Sequence, residues 1–265
     1  MTNSRTTKHY LLAAALLATS CVPAGERHHE TVTRSWPAGA IKHLDVHEID
    51  GSVDIEAGAS DQISLVADVR SRGIAADPKK ENHGFFETAV DGDTLSIGRE
   101  GERHRRVHIF FFKGPDVTVD YTLRVPASMS VDVRTVNGRV HTRGTDGEVH
   151  VVTVNGGIDL ESAGKQEVVA HTVNGRVKAR FLDDFQGANL KTVNGSVEAS
   201  LPSSASFACD LSQMNGDFEA AFPLNIHSHP GSRRVSGEVN GGRHDLRIVT
   251  VNGDINIEST PPTVK

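Results

Sequence analysis

The chain is poor in the residues that usually carry chemistry. Its 265 residues include 2 cysteines, 1 tryptophan, 2 tyrosines and 3 methionines. Two cysteines cannot build a disulfide framework. There is no Gly-rich phosphate loop and no Gly-x-Ser-x-Gly nucleophile motif. The 14 histidines include the pairs His28-His29 and His227-Ser228-His229. Neither pair has cysteine or carboxylate partners at zinc-finger or metalloprotease spacing, so no metal and no cofactor is expected. A net charge of −6 is mild and makes no electrostatic case for nucleic acid. With 25 glycines and 10 prolines, this is not a low-complexity chain.

What the chain has is a repeat. Thr135-Val136-Asn137-Gly138 returns at Thr153-Val154-Asn155-Gly156, Thr172-Val173-Asn174-Gly175, Thr192-Val193-Asn194-Gly195 and Thr250-Val251-Asn252-Gly253. Gln213-Met214-Asn215-Gly216 is a weaker copy. From Asn137 to Asn215 the asparagines step by about 18 to 21 residues, the mark of one stacked structural unit. Six, four and two residues before each Asn, and three after it, stand apolar residues or Thr, with Gln213 the one exception, for example Val149, Val151, Thr153 and Ile158. The positions between are mostly polar, as with Asp132, Arg134, His150 and Lys191. This period-2 alternation makes each unit a strand, an Asn-Gly corner and a second strand.

Strand-corner-strand fits an antiparallel meander or a parallel β-solenoid. A meander does not require every second turn to be identical. A solenoid places equivalent residues about 4.8 Å apart, so Thr and Asn columns hydrogen-bond along the stack. The near-identity of those columns favours an all-β solenoid. The glycine after each Asn is expected to supply positive φ at the corner.

Residues 1–20 read as an export signal, with Arg5 and Lys8 before the apolar stretch Tyr10 to Ala18. That stretch is too short to span a bilayer as a mature helix. It ends in Ala18-Thr19-Ser20-Cys21, which resembles a bacterial lipobox, although leucine is commoner where Ala18 stands. Lipid on Cys21 is then the expected membrane anchor. The alternative is ordinary cleavage after Ala24. Cys209 falls in an inward column and reads as a small buried hydrophobe. Residues 21–34 read as a polar tether, 35–258 as the repeat domain and 259–265 as a tail.

Before the regular coils, Leu44 to Ile55 forms a first unit with Asp50 in place of the later Asn. Ile63 to Val69 reads as a strand, and 71–84 as a loop. Phe85 to Ile97 is two strands about a Val90-Asp91-Gly92-Asp93 turn. Arg103 to Lys113 gathers cations and Phe110-Phe111-Phe112. An anionic lipid or glycan surface is one reading of it, and a strand capping the solenoid end is the preferred one. Val117 to Val125 is a strand ending at Pro126. Segments 85–126 and 222–258 are expected to cover the two ends of the stack.

The strand ending in Leu123-Arg124-Val125-Pro126, then Val131 to Gly138 and the repeated Asn-Gly coils, resembles a bacterial β-strand-repeat family of candidate adhesins, largely of unknown function. Val239-Asn240-Gly241-Gly242 followed by Leu246 to Ile257 is similar to that family's closing coil. The resemblance spans about residues 35–258. It implies a β-solenoid-like fold on an exported, envelope-associated protein, and it brings no catalytic residues.

Four residues after each Asn stand His141, Asp159, Lys178, Glu198 and Glu219. Stacked in chain order, Asp159–Lys178–Glu198 is a charge ladder, and Glu198 and Glu219 are neighbouring carboxylates, the best candidates for polysaccharide cleavage. Val136, Val154, Val173, Val193, Met214 and Val251 precede the asparagines. They form an exposed apolar stripe if the strand stays regular, or core if the chain bends at the Thr. The expected function is a non-catalytic scaffold or adhesion module, lipid-anchored to a bacterial membrane and facing periplasm or exterior. In a Gram-negative source that would be the outer membrane. Its partner would be an envelope protein or a glycan. The alternatives are a secreted carbohydrate-active enzyme and a regulatory partner in envelope-stress sensing.

Overall fold

A computed structural model describes residues 27–72, 85–98, 117–162, 165–183, 185–229 and 232–261. Strand β1 (Arg27–Pro37) leads through a 3-10 turn (Ala38–Ala40) into β2 (His43–Asp50), β3 (Val53–Gly58) and β4 (Gln62–Arg72). A hairpin follows, β5 (Glu87–Asp91) and β6 (Thr94–Gly98), and then β7 (Val117–Pro126). The regular coils are β8 (Ser130–Asn137) with β9 (Val140–Thr145), β10 (Val149–Val152) with β11 (Ile158–Ser162), β12 (Val168–His171) with β13 (Val177–Phe181), and β14 (Ala188–Lys191) with β15 (Val197–Pro202). The chain closes with β16 (Phe207–Asn215), β17 (Phe218–Ala220), β18 (Asn225–His229), β19 (Ser232–Val239), β20 (His244–Asn252) and β21 (Ile255–Thr260).

Each coil gives one strand to each of two sheets. Sheet A runs β1-β4-β7-β3-β9-β11-β13-β15-β21-β17, and sheet B runs β18-β19-β16-β20-β14-β12-β10-β8-β2-β6-β5. Pairing within the coils is parallel, for example Val149↔Val168 and Ile158↔Val177. The fold is therefore all-β with two parallel-rich sheets, β-solenoid-like. The core between them holds the inward columns, including Val133, Val151, Ala170 and Leu190 from sheet B and Val140, Ile158, Val177 and Val197 from sheet A. An edge-to-face chain of Phe181, Phe185, Phe207 and Phe222 fills one end of that core. Cys209 is buried in the same column as Leu246, and burial pushes its thiol up to about 11, consistent with a packing role.

Two expectations need correction here. Residues 27–34 belong not to a tether but to β1, paired antiparallel with β4 along its whole length. The final coil does not close the stack either. β20 lies between β14 and β16, and β21 lies between β15 and β17. Segment 85–98 with β7 does cover one end, together with β1 and β4, while of 222–258 only β18 and β19 lie at the other. The stretch 103–113 lies outside the described residues.

At the corner, three columns run along the stack. The threonines are buried, and Thr172, Thr192 and Thr250 donate to the carbonyls of Gly156, Gly175 and Gly195 at 2.9–3.0 Å. Gln213 does the same to Gly253 at 2.8 Å. In the first coil the slot holds buried Glu48, which cannot donate when ionised and instead accepts from the N–H groups of Ile49 and Asp50. The asparagine amides form a ladder: Asn137 Nδ2 donates to Asp50, Asn155 to Asn137, Asn174 to Asn155, Asn194 to Asn174, Asn252 to Asn194 and Asn215 to Asn252, all at 2.8–2.9 Å.

Positive φ, the reason expected for the corner glycines, holds at only some of them. Gly138, Gly156 and Gly175 do not have positive φ. A Cβ on Gly156, Gly175, Gly195 or Gly253 would instead fall 1.9–2.0 Å from the carbonyl oxygen of the glycine one coil away, and on Gly138 1.8 Å from that of Gly51. Gly195, Gly216 and Gly253 have positive φ as well, and Gly216, at the last rung, departs furthest from extended backbone at 132°, with its Cβ position 2.3 Å from the Gly253 carbonyl oxygen.

Three stability predictions follow from the corner. Gly175→Ala should lower stability by about 1–3 kcal/mol, because its Cβ meets fixed backbone, and thermal melting measures this. Asn174→Asp keeps an acceptor for Asn194 but loses the donor to Asn155, so it should cost about 1 kcal/mol at neutral pH and recover partly in acid, where the carboxyl regains a proton. Asp50→Asn, the opposite exchange at the acceptor end, should leave the melting temperature nearly unchanged.

Candidate functional site

Parity decides what each sheet shows to solvent. With Thr135, Thr153, Thr172, Thr192 and Thr250 buried, the residue after each must point outward. Val136 and Val173 are each 39% exposed and Met214 54%, while Ile49, Val154, Val193 and Val251 are half-buried. The stripe is therefore outward, and stack order makes it continuous: Ile49, Val136, Val154, Val173, Val193, Val251, Met214. It runs beside the asparagine ladder Asp50, Asn137, Asn155, Asn174, Asn194, Asn252, Asn215.

The next outward columns of sheet B widen the patch. Val152 and Val249 stand two residues before Val154 and Val251, and Val169 lies one column further, all half-buried. Charge sits at the two ends. Toward β6, Asp45 and Asp132 are paired in register as side-by-side carboxylates. Arg134 reaches Asp132 at 2.6 Å and Asp45 at 3.7 Å, His47 reaches Asp45 at 3.0 Å, and His150 reaches Asp132 at 3.2 Å. The hydrogen bond to Asp45 raises the His47 pKa above the ordinary value, against burial. His171, further along, is lowered, chiefly by burial. Toward β19 stand Lys191, Arg247 and the 4.0 Å pair Arg234–Asp210. The sequence reading missed the Asp45–Asp132 cluster, although both residues stand five before a corner residue.

Sheet A shows the opposite character. Its outer columns are charged and alternate in sign, Glu56, Arg143, Glu161, Arg180 in one and Asp159, Lys178, Glu198 in the other. Pairs such as Arg124–Glu56 at 3.2 Å, Arg180–Glu161 at 3.4 Å and Lys178–Glu198 at 3.7 Å link neighbouring strands. An open depression of about 440 Å³ on this face has Arg143, Lys178 and Arg180 set against Asp159, Glu161 and Glu258. Glu198 and Glu219 are not neighbours: β21 lies between their strands, and each is in register with Asn256. The two carboxylates therefore stand two strands apart instead of side by side.

Other candidates carry less. Among the described residues, no three His, Cys, Asp or Glu side chains gather to hold a metal, and no helix is long and apolar enough to cross a membrane. Cys21 and His104 to Lys113 lie outside the described residues.

No curated relative matches the chain. Several solved structures are similar over most of their length at low identity. A candidate cell adhesion protein of Clostridium sporogenes is 10% identical, with 88% of this chain and 100% of that one covered and a TM-score of 0.45. A candidate adhesin of Bacteroides fragilis is 14% identical, covering 87% and 97%, with a TM-score of 0.37. A candidate lipid-binding protein of Parabacteroides distasonis is 10% identical, covering 89% and 97%, with a TM-score of 0.35. The family model described as Toastrack DUF4097 matches residues 120–258, from β7 through the inserted coil to β21. With more than half of its length matched, the chain belongs to the Toastrack DUF4097 family.

Proposed function

We propose that this protein is a non-catalytic binding module of the bacterial envelope, anchored by lipid on Cys21, and that the outer face of sheet B engages an envelope protein or glycan. The observation that carries the reading is the contrast between the two outer faces. Sheet A's face is an alternating-charge lattice whose members pair with one another. Sheet B's face carries a continuous row of Val and Met beside a row of amides. Contiguous exposed apolar surface of this kind marks interaction sites, and a rigid parallel stack presents it without an ordering cost on binding. Each ladder amide from Asn137 to Asn252 uses one N–H and one lone pair along the stack, leaving a second of each for a polar ligand.

Two experiments test the proposal. Cys21→Ala should move the protein from the membrane pellet to the soluble fraction, and a variant that stays fully in the pellet would overturn the anchor. For the face, a photo-crosslinking residue at Val173 should capture an envelope component in intact cells, whereas the same residue at Lys178, on sheet A, should not. Equal capture from both positions, or capture from Lys178 alone, would overturn the assignment.

A further inference from the structure

The asparagine ladder is also a chemical shield, and it ends abruptly. Every rung but Asp50 is an Asn-Gly pair, the dipeptide in which a backbone nitrogen most readily attacks the preceding side-chain amide, because glycine has no Cβ to hinder the approach. Attack requires a mobile amide and a glycine N–H that is free to lose its proton. From Asn155 to Asn252 neither condition holds, and at Asn137 the amide is held on both sides, by donation to Asp50 at 2.8 Å and acceptance from Asn155 at 2.9 Å. Asn174 donates to Asn155 at 2.8 Å and accepts from Asn194 at 2.9 Å, while the Gly175 N–H donates to the Asn194 backbone carbonyl at 3.0 Å. Asn194 and Asn252 are held alike, with the Gly195 N–H on Asn252 O at 2.8 Å and the Gly253 N–H on Asn215 O at 2.9 Å.

Asn215 is the exception. It is the outermost rung of the ladder, because β16's further neighbour, β19, pairs only as far as Gln213. Its amide donates once, to Asn252 at 2.8 Å, and among the described residues its Oδ1 accepts nothing and the Gly216 N–H makes no hydrogen bond. Asn215 and Gly216 are both exposed. The remaining Asn-Gly pair, Asn240-Gly241, sits in a turn, and the Asn240 amide is pinned by donation to Ser203 O at 3.2 Å and Ala205 O at 2.9 Å.

We propose that Asn215 is the site at which the folded protein undergoes spontaneous deamidation, the other Asn-Gly pairs being protected by the ladder or, for Asn240, by its turn. The Gly216 nitrogen, losing its proton, bonds to Asn215 Cγ. The Cγ–Nδ2 bond breaks, and the nitrogen leaves as ammonia. Water then opens the five-membered imide at one carbonyl or the other, leaving aspartate or isoaspartate; the net exchange is one water in and one ammonia out. Either product removes the donor that Asn215 supplies to Asn252 Oδ1. Asp50 shows why position matters: a carboxylate suits the acceptor end, where it only receives, and does not suit the donor end.

The test is peptide mapping by mass spectrometry of the full chain aged at mildly alkaline pH, folded and in urea. In the folded protein Asn215 should lose its amide about tenfold or more faster than Asn174 or Asn194, tenfold being the rate equivalent of one hydrogen bond, ~1.4 kcal/mol. In urea the repeat sites should converge, since the unfolded chain has no ladder. Folded-state loss at Asn174 or Asn194 as fast as at Asn215, loss led by Asn240, or a ranking unchanged by urea would each overturn the proposal.

Discussion

The coils of this stack meet backbone to backbone at the glycine corner. At the corner, the carbonyl of one glycine comes so near the next coil that a β-carbon there would lie at about 2 Å from it. That proximity sets the rest of the corner. It brings the threonine hydroxyls within reach of the glycine carbonyls on the inner side. It also brings the asparagine amides within reach of one another on the outer side. Each of these bonds is modest on its own, of order 1 kcal/mol. What the columns add is register: a slip by one residue would turn every buried threonine outward and every exposed valine inward.

The ladder has a direction, and the direction explains where the imperfect copies sit. All amides donate toward Asp50. An aspartate can occupy only the acceptor terminus, because ionised it has no hydrogen to give. Glu48 in the threonine slot of the same coil is likewise an acceptor, taking the N–H groups of Ile49 and Asp50. At the other terminus, Gln213 and Met214 replace Thr and Val in a coil that has a repeat neighbour on one side only. The exact copy Thr250-Val251-Asn252-Gly253 sits inside, between two neighbours that both need its full set of contacts.

That last point was legible in the residues and was missed. Period-2 alternation located the strands, and the repeated tetrapeptide located the corners, because both signals are local. Coil order is not local: it depends on which strand edges meet across tens of residues, and nothing in the period says that the chain turns back through β18 and β19 before filling a gap. The clue was the quality of the copies, with the weakest one belonging at an end. Glycine carried a second ambiguity. Positive φ and close backbone approach both call for it, and only the distances between coils separate the two. Strand β1 was hidden because its charged, histidine-bearing composition, ordinary for an exposed edge strand, reads like a tether.

Both outer faces are made from the same repeat, so their difference is informative. On sheet A, parallel register sets oppositely charged side chains beside one another from coil to coil, and the face largely satisfies itself. On sheet B, register stacks valine on valine, and no neighbouring coil covers them because the stripe points away from the core. A strand that needed only to fold could carry lysine or glutamate at those positions at little cost in stability, since solvent-facing sites tolerate either. Threonine inward, valine outward and asparagine beside it recur together in five coils. The inward threonine and the asparagine bond along the stack, whereas the outward valine meets only the valines of neighbouring coils and keeps its outer side to solvent, which is the surface the proposed binding role uses.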